Sequence, residues 1–210
     1  GDSNLDLSAN YWDGTNNVWK SEPSTALSTD LDSQADLATL QNWSFDLAFE
    51  LSGELLVAWG NRGVADVGFV TRGVGQAGAW GSVSTATAFA EQSAELALSA
   101  DPNSDYIILV HTSGSDGGND MEVAVWNGTA FPATLDTTSP FSAGAIAVDL
   151  TADTLSAGTS NYAAGWLTSG AETRGIVTYD DANAAGVDWF SYDKGTNTWA
   201  FQTDCTTNCS

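Results

Sequence analysis

Four stretches of this chain are versions of one hairpin. The clearest is residues 187–199 (VDWFSYDKGTNTW), two runs around an Asp-Lys-Gly turn with an aromatic residue closing the second. Residues 5–19 (LDLSANYWDGTNNVW), 65–80 (ADVGFVTRGVGQAGAW) and 121–131 (MEVAVWNGTAF) repeat the scheme. A unit this small cannot bury its apolar faces alone. The chain must therefore be a repeat protein whose units pack on their neighbours.

The segments between these hairpins also recur. Residues 43–50 (WSFDLAFE) alternate with period two, and 54–60 (ELLVAWG) form a more continuous apolar run, as in a strand covered on both faces. Residues 94–100 and 106–111 (YIILVH) repeat that pair, and 162–169 with 173–180 do so again. Residues 145–150 (AIAVDL) and 154–159 read as an insertion or extra hairpin, and 21–41 as a long polar loop with one short helix.

The order is thus a third-and-fourth-strand hairpin, then a four-strand unit three times over. Trp19, Trp80, Phe131 and Trp199 close the fourth strands, roughly 50–60 residues apart, a spacing typical of propeller blades. The expected fold is all-β, a propeller-like array of four-stranded antiparallel blades with about three and a half repeats; a β-sandwich is the alternative. The units are a half-blade 1–20, a linker 21–42, blades 43–84 and 93–135, a blade with an insertion 144–203, and a tail 204–210. The four closing aromatics are expected to fill the wedges between blades. Asp13-Gly14, Asn127-Gly128 and Asp193 with Gly195 are expected to make the turns, with the Asp-Gly pair supplying the positive φ of a tight hairpin.

Residues 191–199 (SYDKGTNTW) resemble the Asp-box, S-x-D-x-G-x-T-W, of sialidase-type β-propellers, with one extra residue before the Thr-Trp; YWDGTNNVW and VWNGTAF are looser versions. The repeat is also similar to that of large bacterial extracellular surface proteins, matched here at 46–60, 95–110 and 126–131. The resemblance covers most of the chain. It implies an architecture rather than an activity, because in Asp-box families the box is a structural turn remote from any active site.

The first hairpin lacks a first-and-second-strand pair ahead of it. Either the sheet continues into further repeats or a neighbouring subunit, a head-to-tail contact that builds rings or filaments, or residues 21–41 or 145–159 close a four-bladed ring.

Charge narrows the partners. Five Lys and Arg stand against 27 Asp and Glu, a formal net charge of −22, and charged residues make up 15% of the chain against about a quarter in ordinary domains. Such a surface repels nucleic acid and anionic membrane and attracts cations, Ca²⁺ among them, or basic partners. The acidic, Ser/Thr/Asn/Gly-rich composition fits an extracellular or cell-surface protein, or one adapted to high salinity. There is no apolar run of about 18 residues for a membrane helix. The chain opens at Gly1 without a signal peptide, so it is expected to be a processed mature protein or a piece of a longer one.

Candidate sites are few. Sialidase-like catalysis needs a convergent arginine cluster, whereas Arg62, Arg72 and Arg174 each precede Gly at turn or strand-end positions. Paired carboxylates for glycoside hydrolysis are plentiful, but abundance singles out none. His111 ends an apolar run, where a satisfied core residue is the simpler reading; the catalytic set is none. Asp181, Asn183 and Asp188 partly follow a Ca²⁺ loop without its closing Glu, and solvated acid is the simpler account. Trp12, beside its turn, and Trp126 are the candidates for exposed, sugar-stacking tryptophans. Cys205 and Cys209 can pair across a very short loop or with another chain. Asn42, Asn127 and Asn208 fall in N-glycosylation-like triplets.

The expectation is a non-catalytic structural or adhesive repeat protein that self-associates, possible Ca²⁺ aside without a cofactor. A lectin-like carbohydrate-binding module is the runner-up, and a glycoside hydrolase fragment the third reading.

Overall fold

The computed structural model describes residues 9–21, 45–60, 67–75, 78–86, 89, 93–113, 121–133, 147–149, 162–168, 174–179 and 187–202. These residues form strands and turns, with no helix among them. β1 (Asn10–Asp13) and β2 (Val18–Ser21) make a two-stranded sheet. The first four-stranded sheet runs β3 (Phe45–Phe49), β4 (Leu55–Gly60), β5 (Val67–Arg72) and β6 (Ser84–Ala86). The second runs β7 (Ser93–Ala100), β8 (Ile107–Ser113), β9 (Met121–Trp126) and β10 (Ala147–Asp149). The third runs β11 (Tyr162–Leu167), β12 (Arg174–Tyr179), β13 (Asp188–Asp193) and β14 (Thr198–Gln202). Every pairing is antiparallel between strands consecutive in sequence.

The sheets stack face to face. In β8, Ile107 and Leu109 face the first sheet while Ile108 and Val110 face the third. This two-sided burial is why β8 and β9 read as continuous apolar runs. Between the second and third sheets, Val123 and Val125 meet Val177, Phe190, Tyr192 and Trp199. Between the first and second, Leu56 and Ala58 meet Leu96, Ile107 and Leu109. Each fully buried Ile, Leu or Val in these layers contributes about 1.5–3 kcal/mol. The opposite face of the first sheet carries Val57, Trp59 and Val70, with Ala9 beside β1 packed against them. Gly68 makes room for the Trp59 indole, since a Cβ there would fall 2.5 Å from the ring.

The first strands lie closest together: β7 approaches both β3 and β11, while the fourth strands β10 and β14 meet on the other side. A first strand has one edge without a sheet partner, and side chains of the adjacent sheets serve it. Asp46 Oδ2 accepts the Leu98 amide at 2.8 Å, and Trp166 Nε1 donates to the Ser99 carbonyl at 2.8 Å. The Leu98 amide, on the edge of β7 away from β8, thereby finds an acceptor without a further strand.

Two expectations about fourth strands are corrected. Of the stretch expected as an insertion or extra hairpin, Ala147–Asp149 pairs with Glu122–Ala124 and completes the second sheet, while 154–159 lie outside the described residues. In the first sheet the fourth strand is Ser84–Ala86, and Trp80 makes only an isolated bridge to Arg72. Trp80 and Phe131 therefore lie outside the fourth strands they were expected to close. Both fourth strands are three residues long, too short to carry an alternating pattern.

Turn chemistry differs from expectation in one respect. The left-handed residues of the two matching hairpins are Asn17 (φ 54°) and Asn197 (φ 57°), not Gly14 or Gly195. Asparagine tolerates this region through its short polar side chain. Asp13 Oδ1 accepts the Thr15 and Asn16 amides, and Asp193 Oδ1 accepts those of Gly195 and Thr196. Asn127 does the same for Thr129 and Ala130, and there Gly128 does take a positive φ of 88°. Gly195 leaves space for the carboxylate, which would stand 3.1 Å from a Cβ at that position.

Candidate functional site at the N-terminal hairpin

The hairpin β1–β2 and the hairpin β13–β14 share a register. Trp12 pairs with Trp19 as Tyr192 pairs with Trp199, and each pair precedes an aspartate-led turn closed by a left-handed asparagine. Their surroundings differ completely. Tyr192 and Trp199 are 1% and 0% exposed against the second sheet, with rings 5.1 Å apart. Trp12 and Trp19 are 49% and 69% exposed, with rings 5.6 Å apart. The same aromatic ladder is thus core at one end of the molecule and open surface at the other.

The other side of β1 meets the first sheet. The Arg72 guanidinium lies 4.5 Å from the Tyr11 ring centre, within cation–π range, and donates to the Gly75 carbonyl at 2.9 Å. Beside it runs a groove of about 530 Å³ lined by Tyr11, Phe45, Leu47, Phe49, Arg72 and Trp80 among others. Leu47 and Phe49 are 52% and 61% exposed, on a strand whose inner neighbour Ala48 is buried. Below the turn, Asp13 holds Lys20 Nζ at 2.8 Å and Asn16 Nδ2 at 2.7 Å. The Asn16 hydrogen bond, and then that of Lys20, hold the Asp13 carboxyl well below the usual carboxylate range.

Two junctions of charged and polar groups tie the sheets together. Trp126 Nε1 donates to Glu50 Oε1 at 2.7 Å, joining the end of β9 to the β3–β4 turn. Burial pushes the Glu50 carboxyl above the ordinary glutamate range against the pull of that bond. Lys194 Nζ, just past β13, meets Asp101 Oδ2 at 2.5 Å and Ser104 Oγ at 2.9 Å in the β7–β8 turn. Burial would raise the Asp101 carboxyl; hydrogen bonds from Lys194, Ser104 and the Asn103 amide outweigh it and hold the carboxyl low.

The remaining predicted residues are scattered. Trp126 is buried, not exposed, because Phe69 and Phe131 pack their edges on it within 5.4 Å and its N–H is committed to Glu50. Phe131 fills the layer between the first two sheets, and Trp199 the layer between the second and third. Trp80 packs on the hairpin side of the first sheet, and Trp19 is surface. His111 is fully buried, with Nδ1 2.9 Å from Glu122 Oε2 and its ring against Phe89. Arg174 is exposed at the start of β12. Asp188 is buried on β13, while Asp181 and Asn183 lie outside the described residues, as do Arg62, Asn42, Asn208, Cys205 and Cys209. Among the described residues no group of three or more His, Cys, Asp or Glu side chains could hold a metal ion.

Sequence reasoning missed Glu50, Asp101, Lys194 and the groove. One signal was available: Glu50 and Asp101 open corresponding turns, a position where an acid recurs. No protein-family model matches this chain, and no curated protein matches it.

Proposed function

We propose that the chain is a non-catalytic structural or adhesive repeat protein of the extracellular space, its sheets serving as consecutive blades of a propeller-like array that associates head to tail. The observation that carries this reading is the exposed Trp12–Trp19 ladder, whose counterpart Tyr192–Trp199 is fully covered by the preceding sheet. The covering face in a second copy would be the outward side of the third sheet, which carries Ile176 and Trp189, only part-buried. Convergence of β3, β7 and β11 supports the blade arrangement, and the Asx turns at Asp13 and Asp193 support the likeness to Asp-boxes. The His111–Glu122 pair, sealed between two sheets, is accounted for by packing and offers a substrate no access. The acidic surface would keep separate arrays apart at low salt and let Ca²⁺ draw them together.

Sedimentation and negative-stain microscopy test this. The wild-type chain should form larger species as its concentration rises, and Trp19→Ser should stay monomeric with an unchanged fold. A wild-type chain that stays monomeric at high concentration overturns the reading.

A second reading rests on the same pair. Two exposed tryptophans edge to face beside a groove suit stacking on a sugar ring, as in a lectin-like module. Glycan-array binding lost in Trp12→Ala would favour it over assembly.

A further inference from the structure

The junction of the second and third sheets shows how a covered blade contact is built at its turn end. Tyr106, the residue before β8, places its ring centre 6.3 Å from that of Tyr192 on β13. Lys194, just past β13, holds its ammonium 5.2 Å from the Tyr106 ring centre, within cation–π range. A cation carried by the later sheet thus stacks on an aromatic carried by the earlier one.

Register identifies the residues that take these places at the two ends of the stack. Asp13, Asn127 and Asp193 each head a turn by accepting two backbone amides, so the residues before them, Trp12, Trp126 and Tyr192, are equivalent. Trp126 pairs with Ile107 and Tyr192 with Gly175. One position earlier, Tyr106 and Arg174 are therefore equivalent too. Gly14, which follows Asp13 as Lys194 follows Asp193, holds the place of Lys194. At the two ends the chemistry is reversed. The third sheet carries a cation, Arg174, where the second carries Tyr106, and the hairpin offers Trp12 and a glycine where the third sheet offers Tyr192 and a lysine.

Arg174 is placed for such a contact. It is exposed, and its alternation with the inward-facing Val177 and Tyr179 puts it on the outward side of the third sheet with Ile176 and Thr178. None of the described acids forms an ion pair with it. Asp193, opposite Arg174 across the strands, has its Oδ1 committed to the turn amides. An arginine without an acid partner is unexpected in a chain with five cations against 27 acids. Trp12 is half-exposed on the side of β1 away from the first sheet.

From this we propose that Arg174 of one copy stacks on the Trp12 indole of the next, a cation–π contact that sets the register and direction of association. The inference rests on the head-to-tail reading and names the residue pair that gives it specificity. A planar, weakly hydrated guanidinium suits stacking on an indole better than an ammonium does. Glycine at position 14 leaves the space that Lys194 fills in the internal junction. A third sheet facing a third sheet would bury two like charges in one interface, which disfavours that pairing.

Sedimentation of the full chain tests the contact. Arg174→Gln should keep the wild-type melting midpoint and weaken self-association about tenfold or more. Trp12→Leu, which keeps an apolar side chain, should weaken it to a similar degree, and the double variant should lose little beyond either change alone. Arg174→Lys, which keeps the charge without the planar group, should fall between wild type and Arg174→Gln. Chains carrying Arg174→Glu and chains carrying Trp12→Ser each keep one intact end. Neither should associate alone, and mixed in equal amounts they should form a dimer that grows no further. Wild-type association that Arg174→Gln leaves unchanged overturns the contact and leaves the head-to-tail reading in place. So do fully additive losses in the double variant, or a mixture that stays monomeric. Arg174→Lys equal to wild type would reduce the effect to charge and overturn the stacking. A wild-type chain that stays monomeric at high concentration overturns the contact and the reading together.

Discussion

Lys194 and Asp101 lie 93 positions apart in the chain, and their Nζ and Oδ2 atoms stand 2.5 Å apart across the junction of the second and third sheets. The carboxylate is almost wholly buried, and the ammonium also sits within 5.2 Å of the Tyr106 ring centre and 5.8 Å of that of Trp166. A single side chain thus neutralises a buried acid and covers two aromatic faces.

Replacing Lys194 with Met should destabilise the chain by about 1–3 kcal/mol at neutral pH, the range expected when a buried charged group loses a partner. The Asp101 carboxyl is held low in the folded chain, so its contribution is fully present above the ordinary aspartate range and fades as pH falls through the lowered value. Urea unfolding of wild type and variant should therefore differ at pH 7 and converge in strong acid.

Glu50 should behave with the opposite sign. Its carboxyl is raised by burial, so ionising it opposes folding, and that penalty is relieved as pH drops through the raised value toward the ordinary glutamate range. Glu50→Gln keeps an acceptor for Trp126 and should equal or exceed wild type in stability at pH 7, with the gain absent near pH 4. A loss of stability at pH 7 would show that the charge itself is needed at the turn.

Gly68 and Gly165 separate crowded from open positions. A Cβ at Gly68 would meet the rigid Trp59 ring at 2.5 Å, so Gly68→Ala should cost about 1–3 kcal/mol and shift the Trp59 emission. Gly165 has nothing within 4 Å of that point, and Gly165→Ala should change the melting midpoint little.

The matched tryptophans give an internal control. Trp199→Ala empties a fully buried site and should cost about 3–5 kcal/mol, whereas Trp19→Ala should leave stability within about 0.5 kcal/mol. Thermal unfolding at low concentration, where chains are dispersed, is the measurement.

Asn17 carries the turn of the first hairpin in a left-handed conformation, at φ 54°. Asn17→Gly should be tolerated, and Asn17→Ala should cost about 1–2 kcal/mol, as expected for a Cβ forced into that region. Exchange at the Trp12 and Trp19 amides would report it directly.

Much of this fold is legible in the sequence. The apolar runs at 54–60 and 106–111, the alternation at 43–50 and the recurring turns at Asp13, Asn127 and Asp193 place most strands near their observed bounds. What failed was anything whose cause is distant. Ser84–Ala86 and Ala147–Asp149 are strands because β5 and β9 offer them an edge, not because three residues carry a pattern. Trp126 reads as a turn-side aromatic like Trp12, yet one is core and the other surface, because among the described residues only Trp126 has a preceding four-stranded sheet above it. Alternation reveals which residues share a face; it does not reveal what lies on that face. The groove beside β1 is invisible for the same reason, since Phe45, Leu47 and Phe49 read like any covered strand.

Among the described strands the second sheet alone has a four-stranded neighbour on each side, and every cross-sheet bond described above joins adjacent layers only. Cohesion in such a stack is a chain of nearest-neighbour couplings, so denaturation should peel inward from its ends. The β1–β2 hairpin, held on one side, would be the first part to let go, and the amides of β8 and β9 the last to take up deuterium. The most loosely held layer is then the one that carries the exposed Trp12–Trp19 pair, and the middle layer is the fixed mount behind it.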